Sequence, residues 1–310
     1  DETRFDKLKD IVTMNSIKVV ICSGWGDKLY MKLSKWAHDQ GKLTICVVDN
    51  QWMGTFKQKL LVLLSPFILK TRFSKMWIPG MYQFEYARRL GFARYDIMMR
   101  YYTADTNLFV AKKDIVVPKR FVYVGRLLEI KGVDILLNGL KLLIPELNKH
   151  SWKFMVIGSG DHQDEFKRLS DDNNCIEYYP FLQPQELAAK TAEGGVFVLP
   201  SNYDAWGVVV HEYSILGSPL LMSEAVGSRS AFLIEGYNGK VFITGSPESL
   251  FSQAVSFMDS SQDDLNKMGK RSQDLAAGYN LESWSCVLSN AINDFTRGIK
   301  HKKLKRTKYQ

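Results

Sequence analysis

Cysteine is scarce. Cys22, Cys46, Cys175 and Cys286 are the only four in 310 residues, and no two stand in CxxC spacing. Three fall inside strand-like apolar runs. Scattered thiols of this kind read as buried and reduced, as in a cytosolic protein, and argue against a disulfide or zinc framework. The five histidines, His38, His150, His162, His211 and His301, form no ligand cluster, so no metal is expected. Long apolar runs are missing too. A membrane-spanning helix needs about 18–20 apolar residues, and the longest run, Leu60–Leu69, is broken by Ser65 and Pro66. The opening DETRFDKLKD has no apolar core and is not a signal peptide. It also lacks an initiator Met, so a fragment or a processed chain is expected. Nine prolines and 22 glycines are too few for a collagen-like or low-complexity chain.

What is present is ample core material. The chain is 45% hydrophobic and 12% aromatic, which excludes a disordered class. Its length favours two lobes over one. The net charge of +8 is unevenly spread. Residues 1–118 hold 19 basic and 11 acidic side chains, residues 119–296 hold 15 and 22, and residues 297–310 hold seven and none. A net of +8 alone would point to nucleic acid, anionic membrane or a phosphorylated substrate. The acidic second half opposes a nucleic-acid duplex. That leaves an anionic membrane surface as the expected acidic partner.

Short apolar runs rich in β-branched residues alternate with helical patterns. IKVVIC (17–22) and LTICVV (43–48) flank a helix-like stretch near 27–40. FVYVG (121–125), KFMVIG (153–158), CIEYY (175–179), GVFVLP (195–200), PLLM (219–222) and KVFI (240–243) follow. Helical patterns lie at 133–144, 163–170, 185–190, 207–216, 248–259, 263–277 and 281–297. This predicts an α/β protein of two Rossmann-like lobes, each a parallel sheet covered on both faces. Six strands make the second lobe complete, whereas two or three leave the first looking incomplete. Charges and Pro near Lys112–Pro118 place the boundary there. The expected domains are residues 1–118, residues 119–296 and a basic tail at 297–310 that returns to the first lobe.

Three motifs fall near the carboxyl ends of predicted strands, the edge at which open parallel sheets bind ligands. Gly125-Arg126-Leu127 is followed by Lys131-Gly132 at a strand-to-helix turn. A guanidinium fork and a compact ammonium can hold a diphosphate there; alone, this is equally a solvated basic turn. Gly158-Ser159-Gly160 lets a backbone pass close to a ligand, or simply makes a tight turn. It lacks the third glycine of a dinucleotide fingerprint. The segment Pro200–Glu212, PSNYDAWGVVVHE, runs from a buried strand into an apolar helix. It sets Asp204 in the loop and Glu212 further along the helix. Gly207 and Val208 offer helix-start amides. The bland alternative is that Asp204 only caps the helix and Glu212 is solvated.

Taken together and in this order, these motifs resemble the retaining family-four glycosyltransferases, or glycosyl transferases group 1, over roughly residues 107–296. Leu216-Gly217-Ser218-Pro219 and Ala225-Val226-Gly227 add to the likeness. The resemblance implies the GT-B fold, a nucleoside diphosphate sugar as donor substrate, no cofactor and no metal. It implies Arg126 and Lys131 at the diphosphate and Glu212 at the ribose. Asp204 and the segment Trp206, Gly207, Val208 and Val209 would meet the donor sugar, and Phe181–Leu182 the base. The glycines Gly125, Gly158 and Gly160 would line the donor path. The implied activity is transfer to a glycan or lipid-linked glycan in surface polysaccharide biosynthesis. The implied location is cytoplasmic, peripheral on the inner face of the membrane. The rivals are a nucleotide-sugar epimerase or phosphorylase on the same architecture, and an inactive nucleotide-sugar or glycan-binding protein.

The chain departs from the family pattern in three ways. Asp204 stands where the family's Glu-x7-Glu has its first Glu. The first lobe lacks the family's reaction-centre His. The opening βαβ unit, roughly 60 residues by this comparison, has no counterpart. On the acceptor side, Gly24 and Trp25 follow the first strand, and Asp49 and Asn50 follow the second. Phe56-Lys57-Gln58-Lys59, the apolar run and Lys70–Trp77 suit an interface with anionic lipid, or else form a buried helix with solvated ends.

Overall fold

A computed structural model describes residues 2–298. The chain forms two compact units. Residues 2–101 with 282–298 make the first, and Tyr102–Leu281 the second.

The second unit contains β5 (Arg120–Val124), α5 (Val133–His150), β6 (Lys153–Ile157), α6 (Gln163–Asp172), β7 (Ile176–Tyr179) and α7 (Pro184–Thr191). Then come β8 (Val196–Leu199), α8 (Val208–Ile215), β9 (Leu220–Ser223), α9 (Arg229–Phe232), β10 (Gly239–Phe242), α10 (Pro247–Met258) and α11 (Gln262–Ala276). All six strands are parallel, in the order β10-β9-β8-β5-β6-β7. The chain builds outward from β5 to β7, then returns to the other side of β5 with β8. Loops leaving β5 and β8 therefore part from one another, opening a crevice at their carboxyl ends. The strands are continuously apolar because both faces are covered: β8 and β9 are buried throughout. Helix starts follow local chemistry. Pro184 opens α7 with a Gln183–Glu186 capping box, and Ser246 caps α10 ahead of Pro247. α5 runs on past Pro145 to His150, beyond the expected stop at 144. Leu143 and Leu147, on either side of that Pro, are both buried in the core, which offsets the lost helical hydrogen bond.

The first unit contains α1 (Glu2–Met14), β1 (Val19–Ser23), α2 (Lys28–Asp39), β2 (Leu43–Val47), α3 (Phe56–Ile68), β3 (Lys75–Trp77), α4 (Met81–Arg89) and β4 (Ile97–Met98). Its described sheet is parallel, four strands in the order β1-β2-β3-β4. Sequence reading found two or three. The strands β3 and β4 have three and two residues, too short to show a pattern.

The boundary also lies elsewhere than expected. Ala104, Phe109 and Val117 are buried in the second unit's core, so 102–118 belongs there. Conversely α12 (Leu281–Thr296), assigned by sequence to the second lobe, covers one face of the first sheet. Its Trp284, Val287, Leu288, Ala291, Ile292 and Phe295 pack on Leu43, Ile45, Val47 and Trp77. Trp284 lies 4.8 Å from Trp77, ring to ring, and its indole N–H donates to the Tyr101 carbonyl at 2.8 Å. Of the basic tail, Arg297 and Gly298 fall within the described residues; the rest of 297–310 lies outside them.

Cys22, Cys46 and Cys175 are buried and free, while Cys286 is exposed on α12. No helix among the described residues is long and apolar enough to cross a membrane. Trp284→Ala removes both the ring stack and the hydrogen bond that hold α12. We expect it to cost the first unit about 3 kcal/mol, read by denaturant unfolding. Unchanged unfolding would mean that α12 is not held by Trp284.

Candidate active site

The site grows from backbones laced across the carboxyl edge of the second sheet. Gly125 N–H donates to the Ile157 carbonyl, Leu127 N–H to the Ser159 carbonyl, and Asp161 N–H back to the Leu127 carbonyl. Buried Tyr123 donates its hydroxyl to the Arg126 carbonyl at 2.9 Å, fixing the turn from within. Gly158 sits at φ 154°, and a Cβ there would overlap the Gly125 carbonyl oxygen. Only glycine lets these two loops touch. The turn holding Lys131 is tied to the next loop. The Ile130 carbonyl accepts from both Asn202 and Tyr203 N–H, and the Asn202 side chain donates to the Glu129 carbonyl at 2.9 Å.

This lacing produces a cavity of about 390 Å³, whose walls include Gly125, Arg126, Gly158, Ser159, Phe181 and Leu182. Phe181 is 64% exposed, and its backbone N–H is fixed by the Ser159 hydroxyl at 2.9 Å. Ser159 and Leu187, which also line it, escaped sequence reading. Ser159, inside the Gly-Ser-Gly motif, carries no signal beyond that of the glycines beside it. Leu187 looked like any core position of a helix.

Beside the cavity, at the β5/β8 crevice, Lys131 Nζ meets Asp204 Oδ2 at 2.7 Å. Asp204 is buried, and its Oδ1 accepts from Trp206 N–H at 3.3 Å. A cation and an anion 73 positions apart in sequence are thus brought together. From Asp204 the chain turns through Gly207 into α8, whose first-turn amides face outward from the helix start. Glu212 follows in the second turn, half-buried. Burial pushes its carboxyl up to about 7. His211, next to it, is fully buried, stacked on Phe232 at 4.8 Å, and accepts from Ala104 N–H at 2.9 Å. Burial pushes His211 down to about 4, against hydrogen bonds to the Ala276 and Tyr279 backbones that raise it. It stays neutral and structural.

Most of the expected second-unit residues therefore gather at one edge. Gly125, Arg126, Gly158, Phe181 and Leu182 share the cavity, with Gly160 bridged to Leu127 behind it. Lys131, Asp204, Gly207, Val208, Val209 and Glu212 lie along the adjoining loop and helix. The Trp206 ring does not join them. It is buried against Phe232, 5.9 Å away, because the apolar indole completes the core beneath the loop. In the first unit, Gly24 and Trp25 follow β1 and Asp49 and Asn50 follow β2, so they share that sheet's carboxyl edge. Trp25 packs edge-on to Tyr86 at 6.2 Å.

Residues 118–260 match the family model described as glycosyl transferases group 1. That match covers most of the second unit and just under half of the chain. A 41.2 kDa protein in a Klebsiella pneumoniae cps region, named as uncharacterized, is 30% identical over 118 residues, 38% of this chain and 31% of that protein. A D-inositol 3-phosphate glycosyltransferase of Nocardia farcinica is 25% identical over 185 residues, 57% of this chain and 40% of that protein. The chain spans less than half the length of such curated relatives. HepE of Anabaena, solved in complex with UDP, superposes with a TM-score of 0.72 at 14% identity, covering 93% of this chain and 81% of HepE. A Rickettsia africae glycosyltransferase gives 0.71 at 12% identity, covering 97% and 82%. These likenesses are of fold. Paired Rossmann-like units make it GT-B.

Two outcomes check the site. Gly158→Ala forces the β5 and β6 loops apart at a cost of about 1–3 kcal/mol. The thermal midpoint falls, and the cavity that Phe181 and Gly125 share is lost to ligands. Glu212 supplies a pH test. Its folded-state carboxyl binds protons more tightly than the unfolded one, so its ionisation costs stability as pH rises from about 4.5 through about 7. Glu212→Gln removes that cost. The variant should be more stable than the parent at pH 8, on the order of 2 kcal/mol, and match it near pH 4. A gap that does not change with pH refutes the assignment.

Proposed function

We propose that the chain is a retaining glycosyltransferase, moving a sugar from a nucleoside diphosphate sugar to a glycan or lipid-linked glycan hydroxyl. The observation that carries this reading is the cavity walled by Arg126, Gly158 and Phe181, lying beside the Lys131–Asp204 pair at the β5/β8 crevice. The base lies in the cavity against Phe181 and Leu182. The ribose hydroxyls donate to Glu212, whose carboxyl is raised by burial and makes no ion pair among the described residues, so it gains donors on binding. Arg126 and Lys131 take the diphosphate, with the first amides of α8. Support for a nucleotide comes from the HepE complexes, which hold UDP and UDP-glucose.

In the reaction, the bond from the anomeric carbon to the diphosphate oxygen breaks and negative charge grows on that oxygen. Fixed cations and amides aimed at the oxygen lower the barrier, because they need no reorganisation. The acceptor hydroxyl attacks from the face the diphosphate leaves, and its proton passes to the leaving group. Retention follows from that geometry. Asp204 holds the Lys131 ammonium where this charge develops. With both of its oxygens engaged, Asp204 also favours a second reading: a protein that binds the nucleotide sugar without transferring it.

Lys131→Ala and Glu212→Ala are each expected to lower donor turnover at least ~100-fold. The measurement is turnover across a panel of nucleoside diphosphate sugars, beside thermal shifts with the same ligands. Thermal stabilisation without turnover selects the binding protein. Near wild-type turnover in both variants sinks the roles given to Lys131 and Glu212.

A further inference from the structure

The helix α3 in the first unit is apolar on the wrong side for a solvated helix. Phe56, Leu63 and Phe67 are 81%, 71% and 76% exposed, and Leu60 and Leu64 are exposed with them. At about 100° per residue, these five fall on one stripe. The opposite face is already satisfied. Leu61, Val62 and Ile68 pack on the unit's core, and buried Ser65 donates its hydroxyl to the Leu90 carbonyl at 2.7 Å. The outward stripe is therefore not a misplaced core face.

Charge around the stripe has one sign. Lys57 stands on one flank and Lys59 on the other, both exposed and without an ion pair among the described residues. Lys70, Arg72 and Lys75 follow, and no acidic residue occurs between Asp49 and Glu85. We propose that α3 docks this unit on an anionic lipid bilayer. It lies in the interface plane, with Phe56, Leu60, Leu63, Leu64 and Phe67 among the acyl chains and Lys57 and Lys59 at the headgroups. An apolar stripe flanked by a lysine on either side is the shape of an interfacial helix. A second copy is disfavoured, since a two-fold contact on this face would set lysine against lysine. The inference rests on the first unit alone and stands apart from the donor chemistry.

The test is co-sedimentation of the full chain with phosphatidylcholine vesicles, with and without ~30% phosphatidylglycerol. Binding should require the anionic lipid and weaken as salt rises. Phe56→Ser/Leu63→Ser/Phe67→Ser should lower binding about 30-fold or more, since affinity follows the apolar area inserted. Lys57→Gln/Lys59→Gln should lower it about 25-fold, at about fivefold per cation. All five positions are exposed, so thermal midpoints and nucleotide-induced shifts should match the parent. Equal vesicle binding by parent and triple-Ser variant overturns the proposal, as does the absence of binding. So does a parent that is dimeric by light scattering and becomes monomeric in the triple-Ser variant.

Discussion

Two backbones in direct contact govern the second unit's ligand edge. Gly158 passes against the Gly125 carbonyl with no room for a Cβ. That approach lets Leu127 exchange hydrogen bonds with Ser159 and Asp161. The lacing holds Arg126 at the mouth of the cavity, and the adjoining 3-10 turn at Glu129–Lys131 delivers the ammonium to Asp204. Neither cation could be placed so well by its own long side chain, which pays rotamer entropy for every fixed position.

Burial and charge divide the work within a single short helix. His211 and Glu212 are neighbours, yet burial moves them in opposite directions. The imidazole is kept neutral by a pKa near 4, and the carboxyl is held close to 7. The former serves packing, locked between Phe232 and the Ala104 amide. The latter remains able to change state when donors arrive. Environment separates the two roles, and residue type alone would not have.

Legibility tracked how far each signal reached along the chain. The six strands of the second unit were readable because each is a continuous apolar run. The cavity residues were readable because glycines and cations mark strand ends. Short β3 and β4 carried no period and went unseen. The Lys131–Asp204 contact was illegible because it joins loops after different strands. The burial of the Trp206 ring was not legible, because an aromatic in a loop of polar and glycine residues gives no sign of which way its ring turns, and here the indole fills the core beneath the loop. Sequence could show that Phe56–Phe67 was apolar and flanked by lysines. Which face was covered needed the fold, since the inner residues Leu61, Val62 and Ile68 are just as apolar.

The placement of α12 bears on how the protein is made. The β2 face carrying Leu43, Ile45 and Val47 is covered by residues that come after the entire second unit. A ribosome adding roughly 5–20 residues per second leaves that face bare for roughly 10–40 seconds. During that interval the nascent first unit presents a half-finished parallel sheet to the crowded exit region. Its neighbours there are chaperones and other growing chains, and its own closing helix has yet to be synthesised.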